Sequence, residues 1–186
     1  MNRDRLPPLS EHVLTDAQRA AVRGVVSGPR GALVAPFVPL LRSPELMEYA
    51  QRMGEYLRYR SAIGVRLTEF AILIVAREWD QQVEWAIHAP IALEAGIGQD
   101  LIDAIAEGRR PQRMADDEAA IYDFCAELND DKQVSDATWA LAVELFGEQG
   151  VVDLIGINGY YSFLAMVMNA ARTPAPPSPA VPLPRI

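Results

Sequence analysis

Cysteine and histidine are almost absent from this sequence. Its 186 residues contain one cysteine, Cys125, and two histidines, His12 and His88. A single cysteine excludes an internal disulfide and a Cys-x-x-Cys redox pair, so the chain is not a disulfide-stapled secreted scaffold. Only the two histidines remain as candidate imidazole catalysts or metal ligands.

Net positive charge and long apolar runs are also lacking. The chain carries 25 acidic and 17 basic residues, a formal charge of −8, which disfavours binding to nucleic acids or anionic membranes. Its longest uninterrupted apolar run, Phe70 to Ala76, is far shorter than the about 20 residues that span a bilayer. The first residues do not resemble a signal peptide. We therefore expect a soluble, cytoplasmic protein with neither nucleic-acid nor membrane partners.

Helical signals recur along the chain, whereas strand alternation, hairpin turns and internal repeats do not. Half of the residues are apolar, which suits one globular domain of this length. We predict an all-α, single-domain helical bundle over 1–172 and a proline-rich extended tail over 173–186. The predicted helices cover 15–28, 43–60, 66–79, 81–95, 99–107, 116–128, 136–146 and 148–172, with a loop at 29–41.

Three details of these helices carry structural expectations. The nearly all-apolar helix at 66–79 should lie at the centre of the core. Asp80 is the predicted cap of the next helix, in which Pro90 leaves the carbonyl of Ala86 without its usual partner and predicts a kink. The last helix contains three glycines, which indicate close helix packing or a break: Gly150, Gly156 and Gly159.

The tail holds six prolines among its fourteen residues, 173–186. This composition predicts a polyproline-like segment instead of a helix. Two alternatives remain at this point, a disordered tail and a stiff arm that lies on a neighbouring subunit.

Three ionisable side chains stand in otherwise apolar helices. Glu84 and His88 are four residues apart and share one helix face, and Glu69 lies in the most apolar helix. An exposed i,i+4 pair and a first-turn acid are the simplest explanations. If the two helices pack antiparallel, however, the three side chains reach the same level and can meet in one pocket. A carboxylate beside an imidazole in a dry pocket stabilises a proton donor that works near neutral pH.

Three motifs around these residues are similar to a known family. They are Arg66-Leu67-Thr68-Glu69, the run Glu84-Trp85-Ala86-Ile87-His88-Ala89-Pro90-Ile91-Ala92, and Glu94-Ala95-Gly96-Ile97. Over about 44–108 the sequence resembles the carboxymuconolactone decarboxylase family, which shares its fold with alkylhydroperoxidase D. The resemblance extends more weakly through the helix that contains Gly159-Tyr160-Tyr161.

The resemblance implies the branch of the family without paired cysteines. The peroxidase branch has a Cys-x-x-Cys pair before the histidine, and the matching positions here are Gln81 and Glu84. Thiol peroxide chemistry needs a thiolate and a resolving thiol, which this chain lacks. Cys125 has the sequence context of a small core residue.

The implied activity is decarboxylation of a small carboxylated lactone or a related conjugated substrate, as in aromatic catabolism. No cofactor is expected, because the substrate's own conjugated carbonyl takes up the electrons. The resemblance makes His88 the acid, with Glu84 setting its tautomer and Glu69 completing a relay. Four arginines flank the two helices and are candidates for binding a carboxylate: Arg58, Arg60, Arg66 and Arg77. We expect Arg66, Arg77 and Trp85 to bind the substrate.

The resemblance also implies a homo-oligomer, a trimer or a hexamer, with Tyr160 and Tyr161 as candidate interface residues. Three alternatives to the decarboxylase remain. In the first, Glu69, Glu84 and His88 hold a metal ion, although one histidine and two acids are a weak ligand set. In the second, the protein is a non-enzymatic binding or assembly module in which the three side chains form a structural polar network. The third is a peroxidase-like relative without the cysteine pair, which would require chemistry between the Cys125 thiols of two chains.

Overall fold

Every regular element in the described part of the chain is helical. The computed structural model describes residues 3–178 and 181–184, and these contain no β-strand. They form one domain around a single core, which confirms the predicted all-α fold. In chain order the elements are a 3-10 turn (Glu11–Val13) and the helices α1 (Asp16–Val26), α2 (Phe37–Leu40), α3 (Pro44–Arg60), α4 (Gly64–Glu78), α5 (Gln82–Glu94), α6 (Gln99–Ala106), α7 (Asp116–Asp130) and α8 (Asp136–Ala171).

Helix α4 lies at the centre of the core, as its composition predicts. All residues from Leu67 to Ala76 are buried, and α3, α5, α6, α7 and α8 pack around them. Enclosing side chains such as Phe70 and Leu73 removes apolar area from water at roughly 25 cal/mol per Å². The same position buries Glu69, which is 1% exposed. A carboxylate in this setting needs partners, because an unpaired buried charge is strongly unfavourable.

Helix α5 begins differently from the prediction and continues through its proline. Its cap is not Asp80 but Gln81, whose side chain accepts a hydrogen bond from the N–H of Val83 at 2.7 Å. Asp80 instead adopts a left-handed backbone conformation with φ of 48° at the turn between α4 and α5. The helix runs on past Pro90 to Glu94.

The segment predicted as a loop at 29–41 contains the short helix α2. Three of its apolar residues, Phe37, Leu40 and Leu41, are buried in the core. Burial of this cluster favours a compact helical turn, because the backbone N–H of Leu41 then bonds to the carbonyl of Phe37. The α1–α2 connection, residues 27–36, lies close to α5 and α8.

The glycines of α8 differ in their surroundings. The helix is continuous from Asp136 to Ala171 except at Gly147, where a φ of 68° breaks it at the predicted boundary. Gly156 packs against the side chain of Leu57 on α3, so this glycine permits the predicted close approach. Gly159 has open space beside it, and the expectation of close packing there is wrong.

Within the described residues, α8 is long and apolar enough to cross a membrane by length and composition. More than half of its most apolar window, 56%, is buried inside the protein. The helix also buries the polar residues Asp153 and Asn158. Its apolar composition is therefore that of a core helix in a compact helical domain.

The proline-rich tail, 173–178 and 181–184 as described, has no regular secondary structure and lies along α5 of its own chain. The hydroxyl of Ser178 donates to the carbonyl of Ala86 at 2.6 Å. This carbonyl is the one that Pro90 deprives of its helical partner. The indole of Trp85 donates to the carbonyl of Val181 at 3.0 Å. The tail thus completes the backbone hydrogen bonding of the helix that carries Glu84 and His88.

Candidate active site

Helices α4 and α5 bring Glu69, Glu84 and His88 together. The two helices are consecutive and pack against each other, so Glu69 of α4 faces His88 of α5. Glu84 lies one turn before His88 on the same face of α5. All three side chains are at most 4% exposed. The exposed i,i+4 pair considered from the sequence is therefore not what the structure contains.

Both ring nitrogens of His88 face a carboxylate. Nδ1 lies 2.5 Å from Oε2 of Glu69, and Nε2 lies 3.3 Å from Oε2 of Glu84. Only a doubly protonated imidazolium can donate to both acids, since a neutral imidazole has one N–H. Burial lowers the pKa of His88, but the charge of Glu69 and the hydrogen bonds to both acids outweigh burial and raise the pKa to about 9. His88 is therefore protonated at neutral pH and can act as a proton donor.

Arg58 extends this arrangement from α3. Its Nε donates to Oε1 of Glu69 at 3.1 Å. Burial alone would raise the pKa of Glu69, but the charges and hydrogen bonds of His88 and Arg58 outweigh burial and lower it. Burial likewise lowers the pKa of Arg58, and Glu69 reverses this shift. Arg58, Glu69, His88 and Glu84, which we call the ionic cluster, carry two positive and two negative charges.

A cavity of about 50 Å³ adjoins the ionic cluster. Three buried polar atoms of its lining residues have no hydrogen-bond partner among the described residues: Oε1 of Glu84, the hydroxyl of Tyr160 and Nη1 of Arg30. Buried polar atoms are nearly always paired in proteins, so three such atoms around one cavity indicate that it holds bound water or a small polar ligand. The remaining lining residues are Arg58, His88, Tyr161 and a set of apolar side chains, Val34, Pro36, Phe37, Ile87 and Leu164.

Two tyrosines of α8 close one side of the cavity. The ring of Tyr161 meets the imidazole of His88 edge to face, with 5.3 Å between ring centroids, and Tyr160 packs on Tyr161 in the same manner. Burial raises the pKa of both phenols, and the charge of Glu84 adds to this shift. Both tyrosines are therefore neutral hydrogen-bond donors. They are buried, and the expectation that they form an exposed interface is wrong.

The side chains predicted to bind substrate lie outside the lining of this cavity. Arg66 pairs with Asp117 and Glu118 of α7. Arg77 donates to the carbonyls of Ala106 and Pro184 at 3.0 and 2.8 Å. Trp85 faces the tail, as described above. The cavity-lining arginines are instead Arg58, one of the four flanking candidates, and Arg30.

Sequence reasoning missed Arg30, and it placed Tyr160 and Tyr161 at an interface. Arg30 lies in the α1–α2 connection, and no local pattern indicates which helix this segment covers. The sequence did contain a signal for the burial of Tyr160 and Tyr161. Both belong to a long apolar helix, and a phenol buried there needs a polar neighbour.

Cys125 has the properties of a core residue. It is fully buried in α7, and its sulfur accepts a hydrogen bond from Asn158 of α8 at 3.3 Å. Burial raises its pKa to about 12. A thiol in this environment is not a thiolate nucleophile at neutral pH, so its surroundings do not favour the peroxidase alternative.

The geometry of His88 also disfavours the metal alternative. Glu69 and Glu84 contact different nitrogens of the ring and therefore approach it from different sides. One metal ion cannot be bound by both carboxylates and a single ring nitrogen in this arrangement. Among the residues that the structure describes, no group of three or more histidine, cysteine, aspartate or glutamate side chains is placed to hold a metal ion.

Comparison with known proteins identifies a shared fold. No protein-family model and no curated protein matches this sequence. The crystal structure of an alanine variant of the debrominase Bmp8, in which a cysteine is replaced, in complex with 2,3,4-tribromopyrrole superposes with a TM-score of 0.72. The superposition covers 95% of this chain and 93% of that chain, at 14% sequence identity. The all-α fold of this chain is therefore the fold of that debrominase.

Proposed function

We propose that this protein is an enzyme that uses general acid–base chemistry, without a cofactor, on a small carboxylated lactone or a related conjugated substrate. The observation that carries the proposal is the position of Glu84. One oxygen of its carboxylate faces the imidazolium of His88, and the other is buried at the cavity without a partner among residues 3–178 and 181–184. A proton held by His88 can therefore reach the cavity through Glu84.

The three side chains then have separate roles. Glu84 contacts the substrate and transfers the proton, and His88 stores it. Glu69 is a positioning residue, because it fixes the orientation of the imidazole through Nδ1 and holds it protonated. This assignment differs from the resemblance-based one, in which Glu84 sets the tautomer and His88 meets the substrate.

Decarboxylation fits this arrangement. The bond between the substrate carbon and its carboxylate breaks, carbon dioxide leaves, and the electron pair enters the conjugated carbonyl as a dienolate. His88 passes its proton to Oε2 of the Glu84 carboxylate, and after the carboxyl group turns the proton leaves Glu84 and forms a C–H bond at the substrate. His88 then takes one proton from solvent, which restores the ionic cluster, so atoms and charge balance. The positive side chains beside the cavity stabilise the dienolate charge as it develops.

Two resemblances support the proposal. The motifs around Glu69, Glu84 and His88 are similar to those of carboxymuconolactone decarboxylases. The debrominase Bmp8, which shares the fold, is an enzyme and holds a small brominated ring compound in its crystal structure. Both favour a small cyclic substrate for this chain.

The test is incubation of the purified protein with γ-carboxymuconolactone, with carbon dioxide release and ultraviolet absorbance as readouts. We expect turnover in the wild type and its loss in Glu84→Gln and His88→Gln. Glu94→Gln is the matched control, since Glu94 is exposed on the same helix, and it should retain full activity. Absence of turnover in the wild type, or equal turnover in Glu84→Gln, would reject the proposed reaction.

One observation favours a second candidate, a binding or assembly module without catalysis. The ionic cluster is buried and its formal charges cancel, which is what a purely structural network requires. That role predicts that Glu84→Gln lowers the melting temperature strongly and affects no reaction. The enzyme predicts lost turnover with little change in stability, because a catalytic group is not optimised for stability.

A further inference from the structure

Arg30 occupies a position that the proposed reaction does not explain. Its guanidinium lies 5.0 Å from the centre of the Phe37 ring, and it has no ion-pair partner among the described residues. Its Nη1 is buried and has no hydrogen-bond partner in the part of the chain that the structure describes. This donor needs an acceptor inside the cavity, because a buried donor left unpaired costs about 1–3 kcal/mol.

The backbone on both sides of Arg30 is conformationally restricted. Pro29 restricts the chain before it, and Gly31 after it has a φ of 65°, which favours glycine. The N–H of Gly31 bonds to the carbonyl of Gly28 at 3.1 Å and closes this turn. Arg30 therefore lines the same cavity as Glu84 and His88 but belongs to the α1–α2 connection, whereas the acid–base groups belong to α4 and α5.

Tyr160 supplies a second unpaired donor to the same cavity. Its phenol is buried, and the hydroxyl end of the ring packs against Gly54 on α3, where a Cβ would overlap the hydroxyl oxygen and the ring. A neutral phenol and a guanidinium together form a common pair of donors for one carboxylate.

The charges around the cavity fix how many anionic groups it accepts. The ionic cluster of Arg58, Glu69, His88 and Glu84 sums to zero, and Arg30 adds one positive charge. A single carboxylate neutralises this excess. The cavity volume of about 50 Å³ also suits a group of that size, since one water occupies roughly 30 Å³.

We propose that Arg30 and Tyr160 form a subsite that binds one carboxylate of the substrate and holds the reacting part of the molecule next to Glu84. This inference rests on the proposed function, because it names the residues that bind the substrate of the same site. It assigns substrate specificity to the α1–α2 connection.

Formate is the probe for this subsite, because it fits the cavity and cannot undergo the proposed decarboxylation. Formamide is its uncharged counterpart of the same shape. Binding is followed by the NMR shifts of the His88 ring, assigned with a His12→Gln variant. We expect a saturable shift with formate and none with formamide.

Variants distinguish specific binding of formate by Arg30 and Tyr160 from a general attraction of formate to positive charge. Arg30→Gln should weaken formate binding at least about tenfold, and Arg30→Lys should retain part of it, because lysine keeps the charge but not the planar donors. Tyr160→Phe should weaken binding severalfold. Arg23→Gln removes the same charge from the exposed face of α1 and should bind formate as the wild type does. Circular dichroism checks that each variant is folded.

The outcomes distinguish this inference from the reaction. Equal formate binding in the wild type and Arg30→Gln, no saturable shift, or an equal response to formamide would overturn the subsite. Saturable binding that depends on Arg30, without lactone turnover, would keep the subsite and reject the reaction. Lactone turnover with an unchanged KM in Arg30→Gln would reject the subsite and keep the reaction.

Discussion

Nδ1 of His88 lies 2.5 Å from Oε2 of Glu69, between the packed helices α4 and α5. This contact stabilises the protonated ring and ties the stability of the fold to pH. The pKa of His88 is raised from 6.5 to about 9 in the folded state. Its contribution to stability is therefore complete below pH 6.5 and is lost as the pH rises through 9.

We expect the free energy of unfolding to fall between pH 7 and pH 10 by on the order of 3 kcal/mol in the wild type. Urea unfolding at a series of pH values measures this change. The His88→Gln variant should lack that component of the pH dependence. A wild-type profile that matches the variant would mean that His88 is not held protonated.

The two glutamates should respond differently to removal of their charge. Glu69→Gln leaves Arg58 and His88 without their shared counter-ion and should destabilise the fold by about 3–5 kcal/mol. It should also lower the pKa of His88, which NMR titration reports. Glu84→Gln should change stability by less than about 1 kcal/mol and lower turnover by roughly 10²–10⁴-fold. Equal stability losses in the two variants would indicate a structural role for both acids.

Gly54 should tolerate no larger residue, although it lies inside α3. A Cβ at this position would overlap the ring of Tyr160, so Gly54→Ala should destabilise the protein by about 1–3 kcal/mol despite the better helix propensity of alanine. Gly159 on α8 is the matched control, because it has open space beside it. Gly159→Ala should stabilise the protein by about 0.5–1 kcal/mol. Thermal unfolding of both variants measures the contrast, and a neutral Gly54→Ala would contradict the packing.

Ser178 and Pro90 should be coupled energetically. Ser178→Ala removes the hydrogen bond to the carbonyl of Ala86 and should cost about 1 kcal/mol. Pro90→Ala restores an N–H that can bond to the same carbonyl, so Ser178→Ala should cost much less in that background. A double-mutant cycle on the free energy of unfolding measures this coupling. Additive effects would show that the tail does not compensate for the proline.

Most of the helices could be predicted because their signals are local. The capping box of Thr15 and Gln18 and the Ser43-Pro44 start of α3 coincide with observed helix ends. The apolar run of α4 indicated its central position. Helix α2 was missed because only burial of its side chains against the core stabilises so short a helix.

The site was predictable in part for the same reason. Glu84 and His88 share a helix face by spacing alone, and a short junction limits where Glu69 can lie. Arg58 and Arg30 reach the cavity through the packing of α3 and the α1–α2 connection, which local patterns do not encode. Arg66 has a suitable place in the sequence, but its side chain pairs with acids of α7 instead.

The small volume of the cavity has a kinetic consequence. At about 50 Å³ it holds a carboxylate but not a lactone ring, and residues from Arg30 to Phe37 form one of its walls. If a ring enters by displacing this wall, opening precedes proton transfer in every turnover. When opening is the slower of the two, added viscogen slows turnover and solvent deuterium has little effect. In that case the turnover rate of this protein is set by the movement of the connection between its first two helices.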